Sequence, residues 1–280
     1  GRVIVEHRVR LPESKRSWFY AAYLLCLTGL LGIAITGDAF NLFVFLEISS
    51  LSSYVLIGIG RDRRALTAAY QYLIMGTIGA TFILIGIGLL YAMTGTLNMG
   101  DLAARIPAVA HTRTVHAAFA FLAIGVSLKL ALFPLHLWLP NAYAYAPSAV
   151  TAFLAATATK VAVYVLLRFF FTVFGAPFSF GTMRLDIVLL PLALAGIFSA
   201  SVAAIFQADV KRMLAYSSVA QVGYMILGIS LVSVTGLTAG ISHLFNHALM
   251  KGALFMALGC VSFRVGAAKL ERMAGVGRTM

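Results

Sequence analysis

Polar and charged residues fall in short clusters along this chain, and between the clusters run apolar stretches long enough to cross a bilayer. Eight such runs can be marked, at 18–37, 39–60, 66–94, 115–139, 148–174, 187–207, 213–234 and 237–263. A helix needs about 20 predominantly apolar residues to span roughly 30 Å of hydrocarbon. The alternating apolar and polar pattern of a membrane barrel strand is missing. An open sheet cannot cross lipid, because its edge groups find no hydrogen-bond partners there. The pattern predicts an all-α, polytopic transmembrane helix bundle of about eight spans, one domain over residues 1–280.

Connections are short, as at Gly37-Asp38, 60–64 and Thr235-Gly236. The longest, 95–114, contains Asn98-Met99-Gly100-Asp101-Leu102 and reads as a surface hairpin or a short interfacial helix. The run 115–139 is the irregular one, with Pro134 five residues after Lys129, then Pro140 and Pro147. In a helix, Pro134 would remove the bond to the Leu130 carbonyl and clash with that turn. A carbonyl freed in lipid needs another partner, and helices interrupted beside a midplane charge are a recurring transporter device. A discontinuous helix, broken near Lys129–Pro134, is expected.

Composition agrees with the pattern: 61% of residues are hydrophobic and 11% charged, against about 25% charged in soluble domains. Mean hydropathy is +0.95. A formal charge of +12 could suggest nucleic acid, but its distribution argues otherwise. Threading eight spans gathers Arg2, Arg8, Arg10, Lys15, Arg16, Arg61, Arg63, Arg64, Lys211, Arg212, Arg264, Lys269, Arg272 and Arg278 on one side. Arg105, Arg113 and Arg184 fall on the other. By the positive-inside rule both termini face the cytoplasm, across the cell's inner (plasma) membrane. The expected partner is a lipid bilayer, not nucleic acid. Because the chain opens without Met and ends in a basic segment, 269–280, it reads as an internal piece of a longer protein, truncated at both ends.

Against that background four charges stand out. Glu47 is the one carboxylate inside any of the long apolar runs, and Lys129, Lys160 and Lys251 sit near the middles of three others. A charge at the centre of a spanning helix costs roughly 2.5–3.5 kcal/mol on insertion scales. Four at similar depth read as a proton or ion path. Glu47 is either the partner that tunes Lys129 or one half of a structural ion pair. Lys129, far from either end of its run, is poorly placed to snorkel to water. Lys160 either relays from Lys129 through water or packs against a carbonyl or hydroxyl such as Thr157 or Thr159. His243, His247 and Lys251, four residues apart, share one helix face. They read as a polar proton-carrying stripe. Zinc is the weaker rival, because neither a carboxylate nor a cysteine accompanies the histidines.

Other residues read more plainly. Asp38 caps its helix, Arg168 anchors a helix end, and Asp209, Lys211 and Arg212 form a helix-start cluster. His136 either bridges the broken helix or joins a cytoplasmic half-channel. Gly76, Gly79, Gly86 and Gly88 permit close helix packing. Cys26 and Cys260 lie in apolar runs without metal-ligand spacing. No cofactor or metal site is read: Rossmann fingerprint, P-loop, cluster-binding cysteines and flavin motif are all missing. This chain itself carries no redox chemistry, so any enzyme activity would belong to an oxidoreductase of which it is a membrane subunit.

At 128–142 the order Lys129-Leu130-Ala131-Leu132-Phe133-Pro134-Leu135-His136-Leu137-Trp138-Leu139-Pro140 resembles the broken seventh helix of the antiporter-like proton-pumping subunits. These occur in respiratory complex I (the L, M and N subunits), Mrp cation/proton antiporters and membrane-bound hydrogenases. Ala158-Thr159-Lys160-Val161-Ala162 is similar to their eighth helix, 209–224 to the start of the tenth, and His243-Leu244-Phe245-Asn246-His247 through Lys251 to the eleventh. The resemblance implies a fragment of a fold of about fourteen helices with two inverted five-helix repeats. This chain would begin at the fourth helix and stop after the eleventh. It also implies proton translocation along Glu47, Lys129, Lys160, His243, His247 and Lys251, within a multi-subunit complex. That complex is either of the NADH-quinone oxidoreductase type or an Mrp-type Na+(K+)/H+ antiporter without redox coupling. A non-conducting scaffold subunit is the remaining alternative.

Overall fold

The computed structural model describes residues 13–60, 62–266 and 268–278. Arg2, Arg8, Arg10 and Arg61, counted above to the basic side, lie outside the described residues, as does the side chain of Lys15. The helices are α1 (Glu13–Ile35), α2 (Ala39–Gly58), α3 (Arg63–Thr94), α4 (Met99–Val109), α5 (Arg113–Leu130), α6 (Trp138–Tyr145), α7 (Ser148–Leu167), α8 (Leu185–Ile205), α9 (Val210–Ser230) and α10 (Val234–Val265). Eight candidate spans are long and apolar enough to cross a membrane. They match the eight apolar runs. Two wide π-type turns, Arg168–Val173 and Pro177–Thr182, follow α7. The connection 95–114 holds the short helix α4 rather than a hairpin.

Neighbouring helices pack chiefly as α1 with α2, α3 with α5, α8 with α9, α7 with α10, α2 with α3 and α9 with α10. Small residues set the α3–α5 approach: a Cβ at Gly125 would stand 2.6 Å from the Gly79 carbonyl oxygen. That is backbone against backbone, the close packing small residues allow in lipid. Gly86 also meets α5, at Leu122 and Ala118, whereas a Cβ at Gly88 would meet nothing within 4 Å. The packing expectation holds for Gly79 and Gly86 and is corrected for Gly88. At Gly76 a Cβ would overlap the Tyr54 hydroxyl.

One skeleton occurs twice. Asp38 accepts a bond from Asn41 N to cap α2, and Asp209 accepts one from Arg212 N to cap α9. Asp62 and Ser233 then cap two helices of 32 residues each, α3 and α10. Both end on a left-handed glycine, Gly95 (φ 69°) and Gly266 (φ 85°), a conformation only glycine adopts freely. Each unit is then clasped by one antiparallel bridge, Asp38 to Asn98 and Asp209 to Lys269. The paired positions keep a single sequence separation throughout, without an insertion.

The copies run in opposite directions. Asp38 follows the end of α1, where Arg168 Nη2 donates to Thr36 O (3.4 Å). Asp209 starts α9 at the other end, where the neighbouring Lys211 Nζ donates to Ala146 O beyond α6 (3.0 Å). Gly60 also meets the Tyr145 carbonyl at that end. Arg16, Arg63, Arg64 and Arg212 gather there, and it is called the basic end below.

α5 stops in the middle of the bundle. Ala131 is left-handed (φ 60°), and a cis Phe133–Pro134 bond follows. Two of the carbonyls at its end are nevertheless partnered. Ser127 O accepts Leu132 N (3.0 Å), and Leu128 O accepts both Ala131 N (3.3 Å) and the Trp138 indole Nε1 (3.1 Å). The chain therefore breaks beside Lys129 as expected, and a tryptophan from the far side of the break partners the Leu128 carbonyl.

Candidate functional site

The polar residues of the interior form two groups. In the first, Lys129 at the end of α5 reaches across to α2. Its Nζ donates to Glu47 Oε1 (3.2 Å) and to Ser50 Oγ (2.8 Å). The Lys129 side chain is 5% exposed and that of Glu47 22%. Glu47 and Ser50 are three apart on one helix, hence on one face, so α2 offers Lys129 an acid and a hydroxyl together. A buried pair of this kind holds its charges against desolvation only while both partners stay in place.

The second group lies between α7, α9 and α10. Lys160 Nζ donates to Ala155 O and to Thr159 Oγ1 (3.3 Å). Thr157 instead bonds Phe153 O (2.8 Å). Lys251 Nζ donates to Leu214 O (2.8 Å), the carbonyl that Ser218 Oγ also reaches (3.0 Å). His243 Nε2 lies 2.6 Å from Gln221 Oε1. Its ring stacks on that of His247 at 5.9 Å and 19°. His247 is 1% exposed, and neither of its ring nitrogens has a hydrogen-bond partner. α7 and α10 meet closely here, with a Cβ at Gly252 lying 3.5 Å from Ala156 Cβ.

No hydrogen bond joins the two groups among the described residues. Beside Lys129 lies a cavity of about 30 Å³, lined by Ser49, Ser50, Ser53 and Tyr72, by Leu30, Ile33 and Leu46, and by Ala158, Val161, Ala162 and Val165 of α7; no residue of the second group lines it. That volume admits a water molecule or two. Tyr72 closes it towards the basic end by stacking on Trp138 (3.9 Å, 3°). Trp138 in turn lines a groove of about 410 Å³ with Gln71, Asn141, Arg212 and Tyr216.

The six site residues read from the sequence are thus brought together as a pair and a cluster, rather than as one continuous chain of contacts. Ser50, Ser218 and Gln221 were not singled out. Ser50 was within reach, because the spacing Glu47 to Ser50 places both on one face; Gln221 and Ser218 carry no such signal. Arg168 Nη1 bonds the Tyr164 hydroxyl (2.7 Å), which donates to Ala34 O (3.1 Å), so it ties α7 to the end of α1 as the anchoring reading holds. The His136 ring stacks on Phe133, and its Nδ1 is buried without a partner. Cys26 is buried, its Sγ 3.3 Å from Ser53 Oγ. The described residues contain no group of three or more His, Cys, Asp or Glu suited to a metal.

Residues 36–280 match the sequence profile of the NADH:quinone oxidoreductase/Mrp antiporter transmembrane family. The N-type subunit of the NADH-quinone oxidoreductase of Desulforudis audaxviator is 49% identical over 273 residues, 97% of this chain and 53% of that protein. The D-type subunit of the Na(+)/H(+) antiporter of Alkalihalophilus pseudofirmus is 32% identical over 267 residues, 95% of this chain and 53% of that one. A protein in the structure of the membrane-bound sulfane sulfur reductase, an archaeal respiratory membrane complex, superimposes with a TM-score of 0.82 at 37% identity. That match covers 90% of this chain and 51% of the other. The chain spans about half the length of these relatives. With eight candidate spans, a helix broken beside a buried lysine and this match, it is a multi-pass membrane protein that belongs to the NADH:quinone oxidoreductase/Mrp antiporter transmembrane family.

Proposed function

We propose that the protein of which this chain is part carries protons across the membrane, as an antiporter-like subunit of a larger complex. Protons pass along Glu47 and Lys129, then Lys160, then His243, His247 and Lys251. The observation that carries this reading is the Lys129–Glu47 contact of 3.2 Å at a helix break inside the bundle. A charge pair has no packing advantage there over apolar residues of similar volume, whereas an ammonium facing a switchable carboxylate can take up and release a proton. The small cavity beside Lys129 supports a water-bridged step towards α7. The basic end faces the cytoplasm of the cell's plasma membrane.

The 49% identity to an NADH-quinone oxidoreductase subunit favours a redox-driven complex, with the electron chemistry in partner subunits. The 32% identity to a sodium/proton antiporter subunit supports a second reading, in which sodium or potassium exchange is the coupled process. Proton uptake into inverted vesicles holding the full-length protein in its native complex separates the two. NADH energises one arm and an imposed sodium gradient the other, each with wild type and Glu47→Gln. A Glu47-dependent signal under NADH supports the redox pump, and one under sodium alone supports cation exchange. Uptake indifferent to Glu47 in both arms rejects proton passage through this pair and leaves a scaffold.

A further inference from the structure

Tyr54 belongs to neither polar group, yet the structure assigns its hydroxyl to the proton path: we propose that Tyr54 relays protons between the Lys129 site and the basic end. This rests on the Glu47–Lys129 reading above. Glu47, Ser50 and Tyr54 stand at i, i+3 and i+7 of α2 and so share one face. Lys129 binds the first two, and Tyr54 is the next polar group along that face towards the basic end. The residue is 7% exposed. Its hydroxyl is buried without a hydrogen-bond partner, and Ser50, four residues earlier, shares its face of α2. Buried phenols usually have a settled partner. Its ring meets Tyr72 edge-on at 4.7 Å, and Tyr72 lines the cavity that holds Lys129.

The repeated skeleton supplies an independent observation. The hydroxyl occupies the place where a Cβ would stand at Gly76. In the second copy the position matching Gly76 is His247, and the position matching Tyr72 is His243. One copy thus grows an imidazole from the backbone of its long helix where the other leaves a hollow and fills it with a phenol oxygen from α2. Packing alone does not call for that oxygen, since a phenylalanine ring would make the same edge-on contact and leave the hollow unused. The step balances as a shuttle. A proton arriving at the phenol oxygen from the Tyr72 side releases the phenol's own proton to Ser50 Oγ, and the Ser50 proton passes to the neutral Lys129 amine. Each hydroxyl ends with one proton, and the ammonium carries the gain. Release towards the same end reverses the order.

The test is Tyr54→Phe in the full-length protein within its native complex, which removes the oxygen and keeps the ring. Proton uptake into vesicles should fall roughly tenfold or more, as expected when a positioned proton-transfer group is lost. The solvent deuterium isotope effect on uptake should change, while thermal stability and complex yield stay at wild type. Gly76→Ala, which denies the hydroxyl its place, should lower uptake in the same direction. Wild-type uptake in Tyr54→Phe overturns the relay, and so does a loss that comes with reduced stability and an unchanged isotope effect. Glu47→Gln, measured alongside, keeps the failures apart: if it abolishes uptake while Tyr54→Phe is silent, only the relay is lost.

Discussion

The α2–α3 and α9–α10 pairs share their caps, helix lengths and closing bridge, yet their interiors hold different chemistry. Where the first has Glu47, the second has Ser218. Where the first has Tyr72, Gly76 and Ala80 along its long helix, the second has His243, His247 and Lys251. The first pair therefore owns an acid and borrows its lysine from the broken helix α5. The second owns its lysine, borrows Lys160 from α7, and has no acid at the matching place. The backbone plan is repeated while the groups that hold protons are not. A charge is thus located by the neighbour it must face rather than by its place in the skeleton.

The largest effect should come from removing the lysine that the first pair borrows. Lys129→Ala is expected to cut proton uptake by roughly a hundredfold or more, with some loss of stability because Glu47 is left without its partner. Uptake and assembly measured on the same membranes check this; normal flux in an assembled complex would remove Lys129 from the path. Next, Glu47→Gln should slow uptake by roughly tenfold, with Glu47→Asp retaining part of the rate. Ser218→Glu makes the copies alike. Ser218 and Lys251 already share the Leu214 carbonyl, so a carboxylate at 218 would stand beside the Lys251 ammonium and favour its charged form. Uptake should fall several-fold in this variant, whereas a gain would show that the missing acid is a deficiency of this half rather than its design.

Two smaller effects concern the scaffold. Gly125→Ala forces a Cβ against the Gly79 carbonyl and should cost roughly 1–3 kcal/mol, read as a lower unfolding temperature of the purified protein in detergent. Ala131→Gly relieves a left-handed alanine worth about 1–2 kcal/mol. A modest rise in unfolding temperature is expected, tempered by the freer unfolded chain.

The spans were legible because hydropathy over about 20 residues is a local property that lipid enforces. The break was legible because Pro134 cannot continue a helix. The partners of the polar groups were not, since they depend on which helix faces which. Lys129 meets Glu47 and Ser50 from about eighty positions away in sequence, and periodicity within α5 says nothing of α2. Gln221 beside His243 is the same case. The rescue of the Leu128 carbonyl by Trp138 crosses the break itself, so the local pattern foretold the rupture but not its repair. Gly88 shows the opposite failure: it stands two residues from Gly86, and positions so spaced on a helix do not face the same neighbour, so its side of α3 stays open.

The twofold skeleton also bears on how a ribosome-fed chain decides which way to thread. Identical frames inserted in opposite senses cannot take their direction from the frame. Arg63 and Arg64 sit after α2 in the first copy, where the second has Val234 and Thr235; Lys211 and Arg212 open α9, where the first has Phe40 and Asn41. By the positive-inside rule, basic side chains placed at opposite ends of one blueprint bias the two copies to insert in opposite senses. Moving these four residues to the matching positions of the other copy should weaken that bias, read as altered sidedness of the loops in intact cells.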